Sequence, residues 1–115
     1  MAFTNEGKNA MLDHLKTLAT HMRLLDDTDA EILDHDSASQ DKALTWGAAS
    51  NGVVAITNEP VFEIPGGTTL KAYSYRSSDG LTEYGRDIIP VESRETWTND
   101  GTHTVTAASK TISDS

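Results

Sequence analysis

The chain has 115 residues, 37% of them hydrophobic, which gives room for one domain with a thin core; it has no cysteine, which removes both a disulfide framework and a thiolate metal site. Eighteen acidic residues against nine basic ones leave a formal charge of −9, which repels phosphate backbones and anionic headgroups and sets nucleic acid and membrane surfaces outside the expected partners. Ordering a chain of this length costs on the order of 170 kcal/mol at about 1.5 kcal/mol per residue, so a core this lean favours added contacts with partners.

The start, Met1 to Lys8, carries no charged-then-apolar signal pattern, and no apolar run approaches the length of a membrane span. The expectation is a chain made in the cytoplasm and not exported by a cleaved signal. Met11, Leu12, Leu15, Leu18, Ala19 and Met22 then recur at helical spacing, with Lys8, Asn9, Asp13, Lys16 and Thr17 on the opposite face. This period predicts a helix over about 5–18. Thr4 or Asn5 can accept a hydrogen bond from its first free N–H groups, and Glu6 sits where the macrodipole favours negative charge. Gly7 weakens the first turn by about 1 kcal/mol. After Ala19, the residues Thr20, Met22 and Leu24 alternate with His21 and Arg23, which predicts a strand to Leu25.

Residues 26–39 read as an acidic loop whose only strong hydrophobes are Ile32 and Leu33. Beyond it, strands are predicted near 42–46, 52–57, 61–64, 69–76, 81–84, 86–91 and 102–107. Asn51-Gly52, Pro65-Gly66-Gly67, Asp79-Gly80 and Asp100-Gly101 separate them, each placing a residue tolerant of positive φ between apolar runs. Along 69–76, Leu70, Ala72, Ser74 and Arg76 share one face and Lys71, Tyr73 and Tyr75 the other, which makes the two tyrosines the expected core residues. The sequence shows no internal repeat, and 109–115 reads as a strand end fading into a polar tail. Several short strands at this spacing predict a mainly β fold with a short N-terminal α-helix: an antiparallel β-sandwich (jelly-roll or Ig-like) or a partly closed barrel, as a single domain over 1–115.

Three groups of residues resemble chemistry. Asp26, Asp27, Asp29, Glu31, Asp34 and Asp36 alternate like a calcium loop, but aligned on Asp27 the sixth position is Ile32 instead of glycine and the twelfth is Ala38 instead of glutamate. A solvated acidic loop is the expectation. His14, His21, His35 and His103 have no pair at His-x-x-x-His spacing, so they read as scattered surface residues and no metal site is expected. Ser, His and Asp occur without a Gly-x-Ser-x-Gly elbow, and Pro65-Gly66-Gly67 lacks the lysine and helix of a phosphate cradle. The chain is therefore expected to be no enzyme, with no catalytic residue and no cofactor.

The remaining candidates are contact residues. Trp46 ends an apolar run and reads as a core anchor, whereas Trp97 lies in a polar stretch and reads as exposed and available to a partner. Phe3 and the stripe of Met11, Leu15 and Leu18 either pack on the protein's own sheet or form an interface. The interface candidates are thus Phe3, Met11, Leu15, Leu18 and Trp97.

The order of motifs adds a resemblance. Phe3-Thr4-Asn5-Glu6-Gly7-Lys8-Asn9-Ala10-Met11-Leu12-Asp13, then Ala19-Thr20-His21-Met22, then Leu44-Thr45-Trp46-Gly47-Ala48-Ala49 open the series. Ile56-Thr57-Asn58-Glu59-Pro60-Val61-Phe62-Glu63-Ile64-Pro65-Gly66-Gly67-Thr68-Thr69 and Gly101-Thr102-His103-Thr104-Val105-Thr106-Ala107 continue it. Over nearly its whole length the chain resembles the small tail-fibre-type virion proteins of tailed bacteriophages. The loop after Leu25 is more acidic, and 76–84 more polar, than the family pattern. The resemblance implies a non-enzymatic structural component of a phage particle, tail-fibre-type or decorating the capsid surface, made in the host cytoplasm and located in the virion. Its implied partners are copies of itself and other capsid or tail proteins. A second reading, from a different class, is a receptor- or carbohydrate-binding module on the particle surface, with Trp97, Tyr73 or Tyr84 as a stacking platform for a host receptor or glycan.

Overall fold

A computed structural model of the chain describes residues 3–106 and 109–111. The fold is mainly β, every described strand pair is antiparallel, and one short helix precedes the strands. Helix α1 spans Asn5–Leu18, and Thr4 caps it with an Oγ that accepts from the Gly7 N–H at 3.1 Å. The docked face differs from the predicted one. Leu12 is buried, but Lys8, Asn9 and Lys16 turn inward beside it while Met11 is 39% exposed. Asn9 Oδ1 accepts from the Gly52 N–H at 3.0 Å, and Lys16 Nζ donates to the Gly47 carbonyl at 2.9 Å. Polar backbone groups of the hairpin beneath need partners that an apolar stripe does not supply, so the helix rotates its polar row onto them.

The strands follow as β1 (His21–Asp26), β2 (Lys42–Ala43), β3 (Val53–Ala55), β4 (Val61–Ile64), β5 (Thr68–Arg76) and β6 (Glu83–Ile88). A 3-10 turn (Val91–Ser93) then leads to β7 (Thr96–Trp97), β8 (Gly101–Thr104) and β9 (Ser109–Thr111). The main sheet runs β2-β1-β5-β6, with β7 paired to the start of β5; β3 pairs β9, and β4 pairs β8. The two predicted strands 81–84 and 86–91 are one, because pairing with β5 continues through Gly85 and passes over Tyr84 as an extra residue. Strand β7 was not expected. Of the predicted strand 102–107, Ala107 lies outside the described residues, as does 112–115 of the predicted tail.

Turn chemistry explains most of the connections. Asn51 (φ 53°) and Gly52 (φ 73°) form a two-residue turn over which Ser50 and Val53 exchange both backbone hydrogen bonds at 2.9 Å. Gly67 and Gly80 also use positive φ, but Asp100-Gly101 does not. What Gly101 supplies instead is room: a Cβ there would lie 2.8 Å from Trp97 Cδ1.

The acidic loop holds one turn built twice, a repeat hidden in its sequence. Asp26 Oδ1 accepts from the N–H groups of Thr28 and Ala30, while its own N–H bonds the Ala30 carbonyl and Asp29 takes φ 65°. Eight residues on, Asp34 Oδ1 accepts from Asp36 and Ala38, its N–H bonds the Ala38 carbonyl and Ser37 takes φ 62°. The first aspartate of each unit is a turn cap. Ile32, between the two turns, is buried, and Leu33 faces out.

The core gathers Met22, Leu24, Phe62, Ile64, Leu70 and Tyr75, with Ala19, Ile32, Ile56 and Val105 around them. Trp46 closes one side, its Nε1 donating to the Ala19 carbonyl at 2.8 Å and its ring 5.9 Å from that of Tyr75. Strand β5 departs from simple alternation. Its pairing with β1 passes over Lys71, which swings Leu70 into the cluster that contains Tyr75; Ala72 and Ser74 stay on the other face and are buried there too. Tyr75 is a core residue, and Tyr73 is half-buried at the rim.

Candidate functional site

The sheet face carrying Ala72 and Ser74 is roofed by charge. Arg23 of β1 grips Asp41 with two bonds of 2.8 and 3.0 Å and lies 3.7 Å from Glu31. Arg76 Nε donates to Ser74 Oγ at 2.9 Å, and Ser74 in turn donates to Glu83. Arg86 donates to Glu83 at 3.1 Å and to Asp29 at 3.2 Å, and Lys71 meets Asp29 at 2.7 Å. The hydrogen bond to Asp41 raises the Arg23 pKa against its burial. Burial pushes Glu83 upward, yet the hydrogen bonds from Ser74 and Arg86 and the charges of Arg86 and Arg76 outweigh it and hold the carboxyl below its ordinary range. Asp29 is held low by its bond to Lys71. Four cations and four carboxylates thus form a neutral lattice in two groups: Arg23 with Asp41 and Glu31 beside β1, and Arg76, Arg86 and Lys71 with Glu83 and Asp29, which tie β5 and β6 to the acidic loop.

Strand β6 is the rim of this lattice and the outer edge of the main sheet; among the described residues no strand pairs with its far side. The Ile89 N–H bonds inward to the Lys71 carbonyl, so strand alternation points the N–H and C=O of Arg86 and Ile88 outward. Along this edge Leu81 is 83%, Tyr84 39%, Ile88 57% and Val91 74% exposed. An open row of backbone groups beside a row of exposed apolar side chains is a docking geometry.

A second cluster lies where β5, β7 and β8 meet. The His103 ring stacks on Tyr73 (centroids 6.0 Å apart, 25° between planes), Trp97 meets it edge-on at 5.8 Å, and Tyr73 Oη lies 3.1 Å from His103 Nε2. Burial lowers the His103 pKa, with the charge of Glu95 opposing; burial and then Glu95 raise that of Tyr73. The result is a half-buried aromatic ledge with the His103 imidazole at its centre.

The contact residues expected from sequence are divided between these places. Phe3 and Leu18 are half-buried, Leu15 packs against the core, and Met11 lies on the exposed flank of α1. Trp97 is half-buried on β7, packed against the core and His103, because the polar stretch around it folds into a strand beside Thr68. Tyr73 joins Trp97, and Tyr84 sits on the β6 edge instead. His103 is not a scattered surface histidine. His35 bridges the acidic loop to two strands, its Nδ1 3.3 Å from Glu63 and its Nε2 3.2 Å from the Gly101 carbonyl. Sequence reasoning missed Leu81, Ile88 and Val91. The signal was present in Ile88-Ile89-Pro90-Val91: alternation buries only one of two adjacent isoleucines, and Ile89 is the inner one. Among the described residues no group of three or more His, Cys, Asp or Glu is arranged to hold a metal ion. In comparisons with known proteins, no family model, curated protein or solved structure matches this chain.

Proposed function

We propose that this chain is a structural subunit of a bacteriophage particle, of the tail-fibre type or decorating the capsid surface, which acts by assembly with copies of itself and with other capsid or tail proteins and performs no catalysis. The observation that carries the reading is the open β6 edge with its row of Leu81, Tyr84, Ile88 and Val91. Side chains left on an edge in this way lower the free energy of the chain only when a neighbour covers them. The ordered resemblance to virion proteins supplies the setting: the virion, reached from the host cytoplasm. In this reading the main sheet and the β3-β9 and β4-β8 pairs pack as the two layers of a β-sandwich, the jelly-roll or Ig-like body expected of such a subunit. Many copies repeating one modest contact would attach durably although each contact is weak. The test is to express a tagged copy during infection and locate it by cryo-electron microscopy of purified particles. Density for the chain at repeated positions is the expected result; particles that never contain it would overturn the proposal.

A second reading is favoured by the ledge of Tyr73, His103 and Trp97, which presents aromatic surface suited to a sugar ring of a host receptor or glycan. Saturable binding on a glycan array, lost in Trp97→Ala, is its expected signature.

A further inference from the structure

We propose that the partner at the β6 edge is a second copy of this chain, paired antiparallel through β6 about a two-fold axis at Arg86. The inference rests on the assembly reading above and names its first contact. The exposed apolar residues are placed symmetrically about Arg86: Tyr84 and Ile88 stand two residues to either side, Leu81 and Val91 five. A two-fold at that position sets Ile88 against the partner copy's Tyr84 and brings Val91, in the 3-10 turn beyond the strand, to the end of the pair where the partner copy's Leu81 lies. The backbone agrees, since the outward N–H and C=O of Arg86 can exchange both bonds with the same groups of the second copy.

Charge permits the same axis. The ion pairs on this sheet face hold four of the nine basic and four of the eighteen acidic residues, and β6 and its ends add Asp79, Asp87 and Glu92. Each Arg86 on the axis is matched by Glu83 and Asp29 of its own chain, so the two guanidiniums that face each other across the two-fold carry their counter-charges with them. The bulge at Tyr84 and Pro90 just beyond Ile88 interrupt regular pairing on both sides, which limits the contact to one short segment and closes the pair instead of propagating a ribbon.

The experiment is sedimentation equilibrium on the full chain, with Ile88→Lys and Val91→Asp as variants and circular dichroism to verify that both keep their fold. The expected result is a dimer at about 100 µM whose dissociation constant rises at least about tenfold in each variant, since symmetry makes every substitution act twice. A wild-type monomer at that concentration overturns the proposal, and so does a dimer that both folded variants leave intact. Because the chain has no cysteine, the register is tested separately: Tyr84→Cys and Ile88→Cys proteins, mixed and oxidised with diamide, should cross-link with each other faster than either does with itself. Equal rates for all pairs overturn the axis at Arg86. Particles that contain the chain although the free protein is a monomer would sink this contact and spare the assembly reading; a dimer never found in particles would do the reverse.

Discussion

Gln40 holds three backbone groups at once: its Nε2 donates to the carbonyls of Ile32 and Glu63 at 2.9 and 2.7 Å, and its Oε1 accepts from the Glu63 N–H at 2.9 Å. The side chain is buried, so Gln40→Ala takes the partner from all three groups, of which the Ile32 carbonyl lies in the buried interior. At roughly 1 kcal/mol per bond, the expected loss is about 3 kcal/mol, measured by urea denaturation. His103 gives a pH prediction. Its pKa is lowered in the folded state by burial, so below the ordinary histidine value of 6.5 the unfolded chain takes up the proton first. The contribution to stability is full above that value and declines as pH falls from it toward the lower folded value. Denaturation midpoints between pH 8 and 5 should therefore drop more in the wild type than in His103→Gln, and parallel curves would refute the assignment. Neither residue announced itself in the sequence, where Gln40 closes a polar loop and His103 is one of four scattered imidazoles; both roles depend on strands far away in the chain.

The twin turns of the acidic loop set the expectations at the level of elements. Asp26→Ala and Asp34→Ala each remove an acceptor for two turn N–H groups that water can partly replace, so each should cost about 1 kcal/mol in thermal or urea unfolding, with Asn substitutions costing less. Ser37→Gly should stabilise by up to about 1 kcal/mol by relieving the positive φ, whereas at Asp29 the same change also loses the contacts with Lys71 and Arg86. Elements governed by local pattern were legible: α1 from its 3.6-residue period and Thr4, β4 from its apolar run, the hairpin at Asn51-Gly52 from its dipeptide. Elements that depend on pairing were not. Strand β7 has two residues and exists because β5 lies beside it; the bulges at Lys71 and Tyr84 shift alternation in a way only a neighbouring strand reveals. The same limit hid the open edge: the Ile88-Ile89 pair shows that one isoleucine faces out, but only the strand order shows that β6 is the outermost strand.

For the whole molecule, the separation of a neutral lattice from an acidic remainder fixes the sign of the salt response. If the β6 edge joined copies by charge pairs, salt would weaken association. Here the dominant charge term is repulsion between the acidic remainders, so raising ionic strength from about 0.02 to 0.2 M should strengthen self-association, read from sedimentation or scattering. A different consequence follows from β3. That three-residue strand receives α1 through Lys8 and Asn9 beside its turn and pairs with β9 along its length, so contacts from near both ends of the sequence converge on one short segment. Closing a chain loop of about 100 residues gives little enthalpy until the rest is in place. Folding should therefore seal this seam last, and native-state hydrogen exchange should find the amides of α1, β3 and β9 opening together, well before those of β1 and β5.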